Sequence, residues 1–380
     1  MRNILAYAVV AFVGAMVTLL VNRPARSIAL RVGYTALPDE RKVHQTATPY
    51  GGGAAMLIGF CVALGVADFI PELRMVISSS HEMFGVVVAA GVIFVVGVVD
   101  DFREMSAPAK VAGQFLAASV LYFSGATMYQ LKLPFAGFVV LGPSILPVIT
   151  AVWVFAISNA INLIDGLDGL AGGIVAIASG TLCVYGLRLE TLGLLPVSNV
   201  GPLIAAVTFG ICVGFLRDNF HPAKLFMGDA GSLMLGLLMS ASTMVIGGRT
   251  APASGVTFFF FAPLLIPVFI LGVPLIDATW AFVRRTLSGQ GFHTPDKNHI
   301  HHRLMRLGHG HRRTVVILWL WTALLCAFVL FPLFEPAINV FIPFGVALML
   351  IALFTWFSPL AARLAHRRPD VEESPERVER

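Results

Sequence analysis

The stretch Ser158 to Gly173 reads SNAINLIDGLDGLAGG and closes an apolar run that begins near residue 146. It places Asn159, Asn162, Asp165 and Asp168 three residues apart. Continued as a helix, that spacing puts Asn159, Asn162 and Asp165 roughly on one face, and Gly166 and Gly169 mark where the helix stops. Carboxylates sit badly at a helix C-terminus, where the dipole is negative, unless a metal ion or another cation reverses the penalty. Amides and carboxylates at the edge of an apolar span are costly and by default mark a working site. The plain alternative is a polar turn between two membrane helices.

Composition makes the membrane setting firm. Of the 380 residues, 57% are hydrophobic and 12% charged, and the mean hydropathy is +0.84, values a soluble domain of this length does not carry. Apolar runs long enough to span, or nearly so, occupy 4–21, 51–70, 83–99, 109–125, 146–163, 170–187, 200–216, 231–247, 258–283, 314–332 and 338–357. The expected fold is therefore an all-α polytopic bundle of about 11 transmembrane helices. Residues 1–365 form one transmembrane domain, and the charged tail 366–380 is poor in apolar residues and expected to be disordered.

Orientation follows from the 26 lysines and arginines. With the N-terminus outside and the C-terminus cytoplasmic, only Arg2, Arg74, Lys132, Arg188 and Arg249 fall outside and the other 21 lie inside. The first span is read as uncleaved, because its basic cluster follows the apolar run. A pI near 9.2 is then mostly this inside-positive pattern, with some attraction to anionic headgroups or phosphates, and gives no reason to invoke nucleic acid. Cys61, Cys183, Cys212 and Cys326 fall within apolar runs, with no spacing suited to zinc or a disulfide framework. Residues 126–145 alternate in part and carry glycine and proline punctuation, which suggests a small outer β-hairpin.

The inner loops carry nearly all the chemistry. Asp100 and Asp101 end the third span in DDFREMSAPAK, with Lys110 just beyond. Adjacent carboxylates repel, so a metal or cationic neighbour is expected there. NFHPAKLFMGDAGS places Asp229 at the mouth of a helix, where free N–H groups favour phosphate oxygens. PDKNHIHHR carries His299, His301, His302 and Arg303, better read as diphosphate donors than as a zinc cluster. Arg41, Lys42 and His44 precede a Gly-Gly-Gly helix entry, and the alternative for them is an inside-positive anchor. Asp277 falls within the ninth span near Arg284 and Arg285, where a structural ion pair is the alternative to a working role.

Taken together, RKVH followed by GGG, DDFREMSAPAK, NAINLIDGLDGLAGG, NFHPAKLFMGDAGS and PDKNHIHHR resemble, in order from about residue 38 to 303, the polyprenyl-phosphate N-acetylhexosamine-1-phosphate transferase family, glycosyltransferase family 4. HIHHR is similar to the UDP-GlcNAc:undecaprenyl-phosphate GlcNAc-1-phosphate transferase branch rather than to phospho-N-acetylmuramoyl-pentapeptide transferases. The resemblance implies transfer of an N-acetylamino-sugar 1-phosphate from its UDP-sugar to undecaprenyl or decaprenyl phosphate. UMP is released and envelope polysaccharide synthesis begins, at the cytoplasmic face of a bacterial inner membrane.

It also implies Mg2+, with Mn2+ as a substitute, held by Asp229 with Asn162 as partner or diphosphate contact. Lys110, His299, His301, His302 and Arg303 would clamp the diphosphate, with Arg41, Lys42 and His44 counted among the substrate-binding residues. Asp165, Asp168 and Asn159 would position nucleotide or sugar. Asp100, beside Asp101, is the candidate base, although a phosphate monoester with a second pKa of ~6 needs little help to ionise. A covalent aspartyl intermediate is the other route. The family admits a homodimer. Competing readings are a nucleotide-sugar or lipid-phosphate transporter, which would want related halves and mid-membrane polar groups, and a CDP-alcohol phosphatidyltransferase, whose further spaced aspartates are missing.

Overall fold

The computed structural model describes residues 4–36, 48–133, 137–250, 310–334 and 341–365, together with Gly272 and Thr279. The expected span at 258–283, Asp277, Arg41, Lys42, His44, His299, His301, His302, Arg303 and the tail 366–380 all lie outside the described residues, save those two isolated positions.

Eleven helices are described: α1 (Ile4–Val32), α2 (Gly52–Ala67), α3 (Pro71–Ser78), α4 (Glu82–Arg103), α5 (Ala107–Phe123), α6 (Leu146–Ile164), α7 (Leu170–Thr191), α8 (Gly201–Asn219), α9 (Gly228–Gly247), α10 (His311–Phe334) and α11 (Phe341–Ala365). Seven of them are long and apolar enough to cross a membrane, or eight spans if α2 and α3, bent by 109° at their junction, are taken as one. The chain is a multi-pass membrane protein. Two short antiparallel pairs accompany the helices. β1 (Thr35–Ala36) pairs with β2 (Thr48–Pro49), and β3 (Gln130–Leu133) with β4 (Gly137–Val140) in the register Gln130 to Val140 and Leu133 to Gly137.

The bundle is arranged around α9. Its apolar stretch is buried on every side, which is what a helix apolar all round requires, and it packs against α2, α4, α6, α7 and α8. Small residues allow this closeness: a Cβ added at Gly97 of α4 would lie 2.3 Å from the Cα of Ala230. The lipid-facing helices instead expose large apolar side chains such as Phe84, Val95, Leu116 and Val152.

Two elements depart from the sequence expectation. Helix α1 runs to Val32, not to residue 21, because its basic residues end the apolar run without ending the helix. Buried Asn22 donates to the Gly214 carbonyl (3.2 Å) and to Asp218 Oδ2 (3.0 Å), keeping the extension docked on α8. Helix α3 lies between the expected runs 51–70 and 83–99, where the sequence predicts no helix; it leaves α2 at 109°, burying Leu73 and Val76 and exposing Met75.

Candidate active site

The site lies where the C-terminal ends of α4 and α6 meet the N-terminal ends of α5 and α9. Helix α4 stops because Glu104 takes a left-handed conformation (φ 44°), turning the chain back on itself. Asp100 stabilises that turn, since its Oδ1 accepts the Met105 N–H at 2.8 Å. The returning chain starts α5 and brings the Lys110 ammonium to Asp100 Oδ2 at 2.7 Å. The cationic neighbour expected beside the Asp100–Asp101 pair is thus Lys110, which also donates to Asp229 Oδ2.

Asp101 has a different task. Its Oδ1 accepts the Asp229 N–H at 2.9 Å, and its Oδ2 accepts the Ala230 N–H at 3.2 Å and the Tyr34 hydroxyl at 2.6 Å. A carboxylate at the negative end of α4 therefore caps the positive end of α9, reversing the dipole penalty noted from sequence. This corrects the expectation that the N–H groups at the mouth of α9 are open to phosphate, since those of Asp229 and Ala230 are taken by Asp101. Gly228, at φ 67°, sits so close that an added Cβ would come within 2.5 Å of Asp101 Oδ2. Only glycine meets both conditions.

Asn162 reaches the same point from α6. Its amide nitrogen donates to Asp229 Oδ1 (2.9 Å) and Ser232 Oγ (2.9 Å). Because an ionised carboxylate can only accept, the amide N–H must face Asp229. Asn159 does not join this group: it pairs reciprocally with Gln114 of α5, its Nδ2 donating to Gln114 Oε1 at 2.8 Å. The predicted common face of the staircase is thus divided between two neighbours. Asp165, at the end of α6, is half-buried. Burial first, and then Asp229, Asp101 and Asp168, push its pKa well above the usual carboxylate range.

Asp168, on the α6–α7 turn, is buried and turned toward the α8–α9 loop, where its Oδ2 meets His221 Nδ1 (2.7 Å) and accepts the Ala223 N–H (3.0 Å).

Sequence reasoning missed an aromatic wall beside the cluster. Tyr34 stacks on Phe102 with centroids 4.3 Å apart, and Tyr50 bridges Tyr34 to Phe226. Burial, then the bond to Asp101, raise the Tyr34 phenol far above its usual value, so it remains a donor. Burial followed by Asp101 and Asp229 pushes Tyr50 up to about 12. Ser232 was legible as the residue one turn beyond Asp229, but no local pattern singles out Tyr34 or Gln114.

The donor chemistry suits a hard divalent ion. Among the described residues, Asp100 and Asp229 present carboxylate oxygens to the Lys110 ammonium, with no ion pair from either to an imidazole. Asp229 is more open to solvent than Asp100, with its side chain 30% exposed against 14%. The residues therefore fit Mg2+ at Asp229, with Asn162 orienting that carboxylate through its N–H.

Carboxylates for a hard ion, a fixed ammonium and an apolar scaffold together equip a membrane-bound enzyme that handles phosphates. A profile of glycosyl transferase family 4 matches residues 83–247. The decaprenyl-phosphate N-acetylglucosaminephosphotransferase of Mycobacterium tuberculosis (strain H37Rv) is 38% identical over 328 residues, covering 83% of this chain and 80% of the relative. That of Mycolicibacterium smegmatis is 37% identical over 382 residues, with 97% and 91% covered. The undecaprenyl-phosphate alpha-N-acetylglucosaminyl 1-phosphate transferase of Escherichia coli (strain K12) is 29% identical over 314 residues, with 80% and 77% covered. The chain belongs to glycosyl transferase family 4 and is a phosphoglycosyl transferase.

Proposed function

We propose that this enzyme transfers GlcNAc-1-phosphate from UDP-GlcNAc to a polyprenyl phosphate at the cytoplasmic face of a bacterial inner membrane. An acceptor phosphate oxygen bonds to the β-phosphorus of the donor, the bond from that phosphorus to the bridging oxygen breaks, and UMP leaves. The observation that carries this reading is the meeting of Asp100, Lys110, Asn162 and Asp229 at one end of an apolar bundle. A lipid phosphate and a soluble nucleotide sugar can meet only at such an interface. The relatives' names, with decaprenyl or undecaprenyl phosphate as acceptor and N-acetylglucosamine phosphate as the group moved, support the same substrates.

In this reading Lys110 offers its ammonium to the diphosphate, and Asp100 holds that ammonium in position. Asp229 holds Mg2+, or Mn2+ in its place, and Asn162, itself held by Ser232, fixes its rotamer. When bound, the ion neutralises charge developing on the diphosphate and on departing UMP. Asp165, near Asp229, shapes the donor pocket, and by family resemblance His299, His301, His302 and Arg303 complete the clamp, with Arg41, Lys42 and His44 supplementing it. Asp100 is engaged as an acceptor by Lys110 and Met105, which suits a positioning role better than a general base, since the lipid phosphate is already largely dianionic with its second pKa near ~6. Single displacement is thus favoured over a covalent aspartyl route. In this reading the chain makes eleven spans with its N-terminus outside, so that the cluster faces the cell interior and β3–β4 the exterior.

The test is turnover by purified full-length protein with Mg2+, polyprenyl phosphate and a panel of UDP-amino sugars, scored as lipid-linked product and UMP. UDP-GlcNAc is expected to be the preferred donor, with Asp229→Asn and Lys110→Met each lowering kcat by at least about 10²-fold. Folded protein that turns over none of the donors, or Asp229→Asn at full activity, would overturn the proposal.

A further inference from the structure

Among the described residues, one set of metal-ligating side chains converges apart from the Asp229 cluster. Asp168 comes from the α6–α7 turn, His221 from the α8–α9 loop and His311 from the first residue of α10, and one ligand atom from each lies within 4.8 Å of the other two. The residues are far apart in sequence, so folding alone brings them together.

The group is held from several sides. Asp168 Oδ2 accepts the Ala223 N–H at 3.0 Å and meets His221 Nδ1 at 2.7 Å. The His221 and His311 rings stack with centroids 4.1 Å apart. Arg312, next to His311, donates from Nε (3.2 Å) and Nη2 (3.0 Å) to the His221 carbonyl, so the start of α10 is fastened to the loop. Asp168 is 4% exposed, whereas the His221 side chain is 38% exposed.

Two imidazoles and one carboxylate form a donor set different from that at Asp229. Imidazole suits zinc and its neighbours in the transition series, whereas Mg2+ prefers oxygen alone. Zinc bonds of about 2.0–2.2 Å to nitrogen and oxygen place tetrahedral ligand atoms roughly 3.4 Å apart. The three ligand atoms, no two more than 4.8 Å apart, must adjust to that spacing as the ion enters. A His2Asp set leaves a fourth position for water.

We propose that Asp168, His221 and His311 form a binding site for a borderline divalent metal ion, with zinc as its ion, tying the α6–α7 turn and the α8–α9 loop to the start of α10. The site is separate from the magnesium centre, and its occupancy does not depend on which sugar the enzyme transfers. Its bearing on activity would come through the α6–α7 turn, which also carries Asp165.

The experiment uses full-length protein in detergent, stripped with a chelator and then titrated with ZnCl2 in millimolar MgCl2. Bound zinc is counted by mass spectrometry after gel filtration, and thermal stability is followed in parallel. The expected result is one zinc per chain with a raised melting temperature, and affinity at least about tenfold weaker in His221→Gln and in His311→Gln. Absence of retained zinc in the wild-type protein overturns the proposal, as does equal retention in both variants, which would move the site to other histidines. If either variant fails to fold, zinc X-ray absorption on the wild-type protein decides. Two imidazoles among four ligands near ~2.0–2.1 Å support the site, and three or more imidazoles or six oxygen neighbours refute it.

Discussion

Replacing Gly97 by alanine is expected to damage catalysis from the middle of the bundle, through a residue that touches no substrate. Gly97 lies one turn before Asp101 on α4, facing the start of α9. The added methyl would stand 2.3 Å from the Ala230 Cα, 2.4 Å from its nitrogen and 2.6 Å from the Asp229 carbonyl carbon, whereas ordinary contact begins near 3.4 Å. All three obstacles are backbone atoms, so no side chain can swing aside. The helices must part by about 1 Å, at a cost of roughly 1–3 kcal/mol in stability. That movement stretches the bonds from the Asp229 and Ala230 N–H groups to Asp101, now 2.9 and 3.2 Å, toward or past the hydrogen-bond limit. Misplacing a catalytic carboxylate by about 1 Å costs about 10²-fold in rate. UMP release should therefore fall by about two orders of magnitude in kcat, while a melt shows that the protein remains folded. Gly91, on the same helix, has nothing within 4 Å of an added Cβ, so Gly91→Ala should leave activity near wild type. Full activity in Gly97→Ala, or equal losses in both variants, would refute the idea that α4–α9 contact sets the position of Asp229.

Two further predictions concern charge. Because folding raises the pKa of Asp165, the folded state holds the Asp165 proton more tightly than the unfolded chain does. Its contribution to stability is then fully present below the ordinary carboxylate pKa and lost as pH rises through the raised value. Asp165→Asn should flatten that decline in melts from pH 4 upward without added Mg2+, and an unchanged pH profile would contradict it. At the other end of the bundle, Arg249 donates to Glu82 Oε1 at 2.7 Å and to the Gly125 carbonyl, and lies over Tyr129. Arg249→Met should cost about 3 kcal/mol by stranding a buried glutamate, with the Glu82→Gln, Arg249→Met double variant recovering much of it. A double variant no more stable than the single would count against the pair.

Much of the bundle was legible because a bilayer imposes a simple rule: apolar runs of sufficient length become helices. Helices lie at ten of the expected runs, while the run at 258–283 lies outside the described residues. The differences arise where hydropathy and helicity part, as at α1, whose basic end is still helical, and at α3, a helix outside every expected run that turns from α2 by 109°. Asp100, Asp101, Lys110, Asn162 and Asp229 stood out in sequence as charged or amide groups in an apolar setting, and they meet in space. Which of them bonds to which was not legible, because register across helices depends on close approaches such as Gly97 to Ala230. Tyr34 and Gln114 escaped notice for a related reason: a tyrosine or glutamine at a span edge is unremarkable until its partner is known. His311 lay in a basic stretch that drew attention to its neighbours instead.

The bond between Asp101 and the start of α9 joins residues 128 positions apart, and this bears on how the enzyme is made. During synthesis α4 and its carboxylate pair leave the ribosome well before α9. In that interval Asp101 has no helix end to cap and Lys110 has only Asp100. The centre is thus completed by a late insertion event, and a nascent chain halted before Gly228 carries adjacent acids at the membrane edge without activity.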